Sequence, residues 1–164
     1  MSIADKPFST MTGSDAAEST NPLDRQRELM ELLSHETRHQ LIQVMLGHPA
    51  HLPSIAEFDY FLSDTTATDI TAQLDRLRKA EILDEYTSES ERDTDVPHAF
   101  YGPTEYGIEV LGEFNYLRGV PIAQAVIQQT KTTETIDQYM AAPRPSLPAD
   151  VRDALRLKDN EGNP

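Results

Sequence analysis

His35-Glu36-Thr37-Arg38-His39 spells H-E-x-x-H. On a helix this spacing sets two imidazoles one turn apart, where they bind zinc while the glutamate serves as general base. Two features argue against that chemistry here. The stretch sits at a helix start, directly after Ser34, a candidate cap, and no third ligand follows at a recognisable spacing. The other histidines, His48, His51 and His98, are scattered, and the five together read as ordinary side chains without a metal. With no Cys there is no thiolate site, disulfide or cysteine nucleophile. No G-x-x-x-x-G-K, G-x-G-x-x-G or G-x-S-x-G occurs, so neither a cofactor nor an enzymatic activity is expected.

A second constellation points to nucleic acid. Between residues 65 and 79, successive 100° steps put Ile70, Leu74 and Leu77 on one helix face. The opposite face carries Thr65, Thr68, Asp69, Ala72 and Arg76, with Gln73 at its edge. Small residues near the start let such a helix sit deep in the major groove. There Gln73 can pair with adenine, Arg76 with guanine or phosphate, and Asp69 with cytosine N4. Farther on, Arg92 lies at the tip of the polar loop from Ser88 to Asp95 and can enter the minor groove. Glu89, Glu91, Asp93 and Asp95 surround it and oppose phosphate.

The elements that must position these residues follow from periodicity and caps. Leu29, Met30, Leu32 and Leu33 lie along a first helix of about three turns. A second, capped by Ser34, holds Leu41, Ile42, Val44, Met45 and Leu46 and stops at Gly47. Leu52 in the connector is placed to pair as a minor strand with a later hairpin. Ser54-Ile55-Ala56-Glu57 fits a capping box opening a third helix. After the polar-faced helix come two strands, Asp84 to Thr87 and His98 to Gly102. Pro103-Thr104-Glu105 opens another helix, broken at Gly119-Val120-Pro121. One long helix is expected over 122–141, ended by Ala142-Pro143-Arg144-Pro145, with a short helix from Ala149 to Leu157 in the tail.

Three pieces in this order resemble the ArsR-like winged-helix regulators. Leu33-Ser34-His35-Glu36-Thr37-Arg38, with Leu41-Ile42, resembles their L-S-x-x-T-R-x-x-I-L helix. Leu74-Asp75-Arg76-Leu77-Arg78-Lys79-Ala80-Glu81-Ile82-Leu83 resembles the L-x-x-L-x-x-A-G-L-V end of their recognition helix, with Glu81 where the family has Gly. Phe100-Tyr101-Gly102-Pro103-Thr104-Glu105-Tyr106-Gly107 resembles their Y-x-L-T-x-x-G wing exit, also found in PadR- and MarR-like proteins. The resemblance covers about residues 28–112. It implies an α+β, mainly helical fold: a winged helix-turn-helix with a C-terminal dimerisation helix. It makes Glu36 and His39 variable positions, a third reason against a zinc protease. The metal-sensing cysteines of the ArsR proteins are absent, and the acidity and the APRP stretch resemble haloarchaeal members.

The organisation expected is therefore a disordered segment 1–22, a DNA-binding domain 23–106, a helical dimerisation region 107–142 and a flexible tail 143–164. The apolar residues Ile122, Val126, Ile127, Ile136 and Met140 are the expected homodimer interface, since an exposed apolar stripe usually marks a partner surface. A two-fold pair would present two recognition helices about one DNA turn apart.

Charge sharpens this reading. Asp and Glu number 28 against 14 basic residues, only four of them Lys, for a net charge of −14. A Lys-poor acidic surface suits a high-salt cytoplasm, where repulsion is screened within about 3 Å at 1 M. No apolar run is long enough for a membrane helix, and the N-terminus lacks a basic segment followed by an apolar core. The expected partners are double-stranded DNA and a second copy, with no membrane. The other class open to this sequence is a winged-helix module for protein–protein contact that leaves DNA alone.

Overall fold

The computed structural model describes residues 21–88 and 95–161, with side chains to Arg156. The expected disordered segment, up to residue 20, and the wing-tip Arg92 lie outside the described residues. The chain divides into two compact units, Met1–His35 and Glu36–Pro164.

The first unit contributes α1, Pro22–Ser34. Asn21 caps it by accepting from the Asp24 N–H at 2.9 Å, and Pro22 occupies the first position, where no N–H is needed. Leu29, Leu32 and Leu33 are buried, whereas Leu23 and Met30 are exposed. Ser34 does not cap the next helix as expected. It ends α1, and its hydroxyl donates to the Glu31 carbonyl.

In the second unit, α2 (Glu36–Gly47) is central: Leu41, Ile42, Met45 and Leu46 are fully buried. α3 (Ile55–Phe61) opens with the expected capping box. The Ser54 hydroxyl accepts from the Glu57 N–H, and the Glu57 carboxylate accepts from the Ser54 N–H at 2.7 Å. α4 (Ala67–Lys79) is capped by Thr66 and buries Ile70, Leu74 and Leu77, the face that periodicity assigned to the core. Burying each such side chain is worth roughly 1.5–3 kcal/mol.

α4 ends in a tight reversal. The Ile82 N–H donates to Leu77 O and the Glu81 N–H to Arg78 O, with Glu81 at φ 64° between them. This is the left-handed turn for which the related motif has Gly, here made by an L-residue. β1 (Leu83–Thr87) and β2 (Ala99–Pro103) then pair antiparallel, Glu85 opposite Tyr101. Leu52 forms no strand, but the adjacent Pro53 carbonyl accepts from the Tyr101 N–H at 2.9 Å.

α5 (Glu105–Glu113) is capped by Thr104, whose hydroxyl accepts from the Gly107 N–H at 2.8 Å. A Cβ on Gly107 would lie 1.8 Å from the Ile82 carbonyl oxygen, so only glycine lets α5 seat against the reversal after α4. The T-x-x-G of the wing exit thus has two physical reasons, a cap and a close approach. A 3₁₀ turn (Leu117–Gly119) leads to α6 (Val120–Gln129), which packs along α2.

Two expectations fail beyond this point. The long helix 122–141 is two helices, α6 and α7 (Glu134–Met140). Thr130 terminates α6 in an extended conformation, and Thr133 caps α7 by accepting from the Ile136 N–H. Hydroxyl residues compete for backbone hydrogen bonds and favour such ends. Nor are the described residues of the expected tail, 143–161, loose. Leu147, Val151 and Leu155 are buried, the last two on α8 (Ala149–Glu161), which packs on α5, α6 and the 3₁₀ turn.

Candidate nucleic-acid interface

α3, the turn at 62–66 and α4 form a helix-turn-helix, and β1–β2 follows as a wing. With its inner face buried, α4 leaves Thr68, Ala72 and Arg76 exposed and Thr65, just before the helix, half-buried. Arg76, Arg78 and Lys79 occupy the last turn, where cations suit the helix dipole.

Asp69 and Gln73 are engaged inside the protein. The Arg38 guanidinium donates to the Gln73 side-chain oxygen at 2.7 Å. The Gln73 amide donates to Asp69 Oδ1 at 3.4 Å, and the Thr37 hydroxyl reaches Asp69 Oδ2 at 3.5 Å. This chain ties α2 to α4 and fixes which way the Gln73 amide points. The free polar face of α4 is consequently narrower than the sequence suggested. Sequence reasoning missed Arg38 and Thr37 as its supports, although both stand in the T-R of the resemblance motif. Burial first, and the nearby Arg76 charge second, hold the Arg38 pKa below its ordinary value. Arg38 and Arg76 therefore place two guanidinium groups within electrostatic reach on this side of the protein.

The wing is acidic at its base. Arg78 approaches Asp75, Asp84 and Glu85 at 3.9, 3.8 and 3.4 Å, so its charge is locally neutralised. Glu85 also accepts from the Tyr101 hydroxyl at 3.4 Å.

Of the expected interface residues, Ile122 and Val126 are 71 % and 58 % exposed. Ile127 and Ile136 are buried within the chain and Met140 is half-buried, because the break at Thr130 turns α7 back onto α3. Ile122 and Val126 line an open apolar groove with Val44, Phe61, Leu62 and Thr130.

The histidines of H-E-x-x-H do other work. His35 closes α1, and His39 Nδ1 hydrogen-bonds the Tyr116 hydroxyl at 2.8 Å. No cluster of three His, Asp or Glu suited to a metal occurs among the described residues.

Glu57, read from the sequence as a helix cap, also sits in a buried polar cluster whose other partners the sequence did not reveal. Glu57 is fully buried, and Arg144, from the segment after α7, donates to both of its carboxylate oxygens. The same guanidinium donates to the carbonyls of Leu52, Tyr139, Met140 and Ala142 and lies 4.5 Å from the centre of the Phe100 ring. His48 Nδ1 accepts from the Ala50 N–H at 3.1 Å, leaving Nε2 to donate to Glu57. Burial lowers the His48 pKa and outweighs the pull of Glu57. The accepting role of Nδ1 points the same way, since a second ring proton would face the Ala50 N–H. For Glu57, burial pushes upward, but the contacts with His48, Ser54 and Arg144 prevail and lower the pKa. We therefore take the carboxylate as ionised against Arg144 and the imidazole as neutral.

Together, the three-helix array, the polar face of α4 and the hairpin define a winged helix-turn-helix. A solved structure of a protein with a GntR superfamily winged-helix-turn-helix domain from Halomicrobium mukohataei is similar in fold, with a TM-score of 0.73 at 24 % identity, over 82 % of this chain and 95 % of that one. No protein-family model and no curated protein matches the sequence. No helix among the described residues is long and apolar enough to cross a membrane.

Proposed function

We propose that the chain is a sequence-specific, duplex-DNA-binding transcriptional regulator that acts as a homodimer in a high-salt cytoplasm. One observation carries the reading. The second helix of the helix-turn-helix exposes Thr68, Ala72 and Arg76, while its other face is locked into the core. A helix with small residues toward its start and a cation near its end can enter the major groove and reach base edges or phosphate. Thr65 extends the same face, and Asp69 and Gln73 contribute chiefly by holding it in place. The likeness in fold to a GntR superfamily winged-helix protein supports the regulatory reading, and its source, Halomicrobium mukohataei, accords with the acidic composition. The ArsR-like assignment rests on the three sequence motifs. Ile122 and Val126 are the strongest candidates for the dimer contact.

A second reading, a winged-helix module that contacts protein and leaves DNA alone, draws support from the acidic wing base, where Arg78 is already neutralised. Genome-wide mapping of bound sites, with gel retardation of the recovered DNA in molar KCl, separates the two. Discrete sites sharing one sequence uphold the regulator. An absence of enriched sites, with no retardation at any salt, upholds the protein-contact module.

A further inference from the structure

One open cleft of about 390 Å³ runs counter to the charge of the whole chain. Its lining includes Arg144, Arg152, Arg156 and His51, and no Asp or Glu among the described residues. Over the whole chain acidic residues outnumber basic ones by 28 to 14, so a lining with three arginines and no carboxylate is a pronounced local reversal. Arg144 is already committed to Glu57. Arg152 and Arg156 are not. They stand one turn apart on α8, both exposed, and neither side chain makes an ion pair or hydrogen bond among the described residues. Like charges at this spacing repel, so the arrangement opposes the helix that carries it unless an anion lies between them. The floor below is apolar: Leu52, Leu147 and Leu155 line the cleft with almost fully buried side chains. An apolar floor with a few convergent polar groups, in a volume of roughly 300–1,000 Å³, is the usual make-up of a small-molecule site.

We propose that this cleft binds a small molecule bearing a carboxylate or phosphate on a short apolar body. Arg152 and Arg156 grip the anionic head, as guanidinium groups do in paired hydrogen bonds to either oxyanion. Pro49, Ala50 and Pro145, in the same lining above the buried leucines, receive the apolar part. The proposal does not depend on DNA binding, and its test uses no DNA. The full chain is titrated with hexanoate, butyl phosphate and neutral hexanol at constant ionic strength in KCl, following heat of binding and melting temperature. Saturable binding of at least one of the two anions, with none of hexanol, is expected, and the tighter anion identifies the head group. Because both arginines are exposed and repel each other, an R152Q/R156Q variant should melt no lower than wild type without ligand and bind the anion at least tenfold more weakly. The proposal is overturned if neither anion binds better than hexanol, or if the double variant binds undiminished.

Discussion

Arg144→Met is the most informative single change. It keeps the length of the side chain and removes the charge. Among the described residues Glu57 then retains His48 and Ser54 as partners, at a position with 0 % exposure, and four backbone carbonyls lose a shared donor. Removing one partner of a buried pair costs about 3–5 kcal/mol, because the remaining charge stays buried without compensation. Against a typical total of about 5–15 kcal/mol, that loss is a large fraction. Urea unfolding at fixed KCl measures it, with Glu57→Gln and the double variant completing a cycle. The double variant should recover part of the loss, since no buried charge is stranded. Acid titration gives a second readout. The wild-type fold keeps the His48 pKa below its ordinary 6.5, so as pH falls through that value the unfolded chain takes up a proton the fold refuses, and stability drops. Glu57, also depressed, adds a further loss below its ordinary 4.5, as pH falls toward its folded value. In Arg144→Met this Glu57 part of the slope should shrink. A loss under about 1 kcal/mol, the worth of an ordinary surface pair, would refute the anchoring role.

The remaining expectations are briefer. Arg76→Ala should weaken specific DNA binding by roughly 1–3 kcal/mol with circular dichroism and melting unchanged; equal affinity at matched salt removes Arg76 from the interface. Ile122→Asp with Val126→Asp should give monomers by light scattering, and a protein still dimeric at micromolar concentration rules out this face. Ending the chain at Gly119 is no substitute, since it also deletes Arg144, Val151 and Leu155 from the core. Glu81→Gly should stabilise by up to about 1 kcal/mol in thermal or urea unfolding, because an L-residue in the left-handed region costs about 1–2 kcal/mol and glycine returns part of that gain in the unfolded chain; a destabilised variant would mean the Glu81 side chain matters more than its backbone. DNA affinity should fall only weakly, or rise, from about 0.5 to 3 M KCl, whereas a steep negative log–log slope would mark an ordinary counterion-releasing repressor.

The helices that carry a local signature were legible in the sequence. Ile70, Leu74 and Leu77 repeat at helical spacing, and the capping box at Ser54 and Glu57 is written in four adjacent residues. The position of Glu81 stood out because the related motif has glycine there, and its φ of 64° supplies the physical cause. The break between α6 and α7 was hidden because Ile122, Val126, Ile127, Ile136 and Met140 continue plausible helical spacings straight across it. A cap by Thr133 outweighed that apparent period. Leu147, Val151 and Leu155 are themselves four apart, a readable stripe obscured by polar neighbours. Arg144 could not be read at all: its partner Glu57 lies 87 positions away, and no local pattern links a guanidinium in a proline-flanked stretch to a helix cap.

A net charge of −14 does not by itself settle whether such a domain meets DNA. Exposed charges act over the screening length, about 10 Å at 0.1 M salt and about 3 Å at 1 M. In dilute salt the carboxylates of the wing base would repel phosphate together. In molar salt only groups nearly in contact with the duplex matter, and on the outer face of α4, the one proposed to meet it, Arg76 is an exposed cation. Arg78 is occupied at the wing, where Asp75, Asp84 and Glu85 surround it. Under the proposed function, the domain is excluded from DNA in dilute solution and admitted in concentrated salt, with the network of Arg38, Gln73, Asp69 and Thr37 holding the outer face of α4 in place throughout.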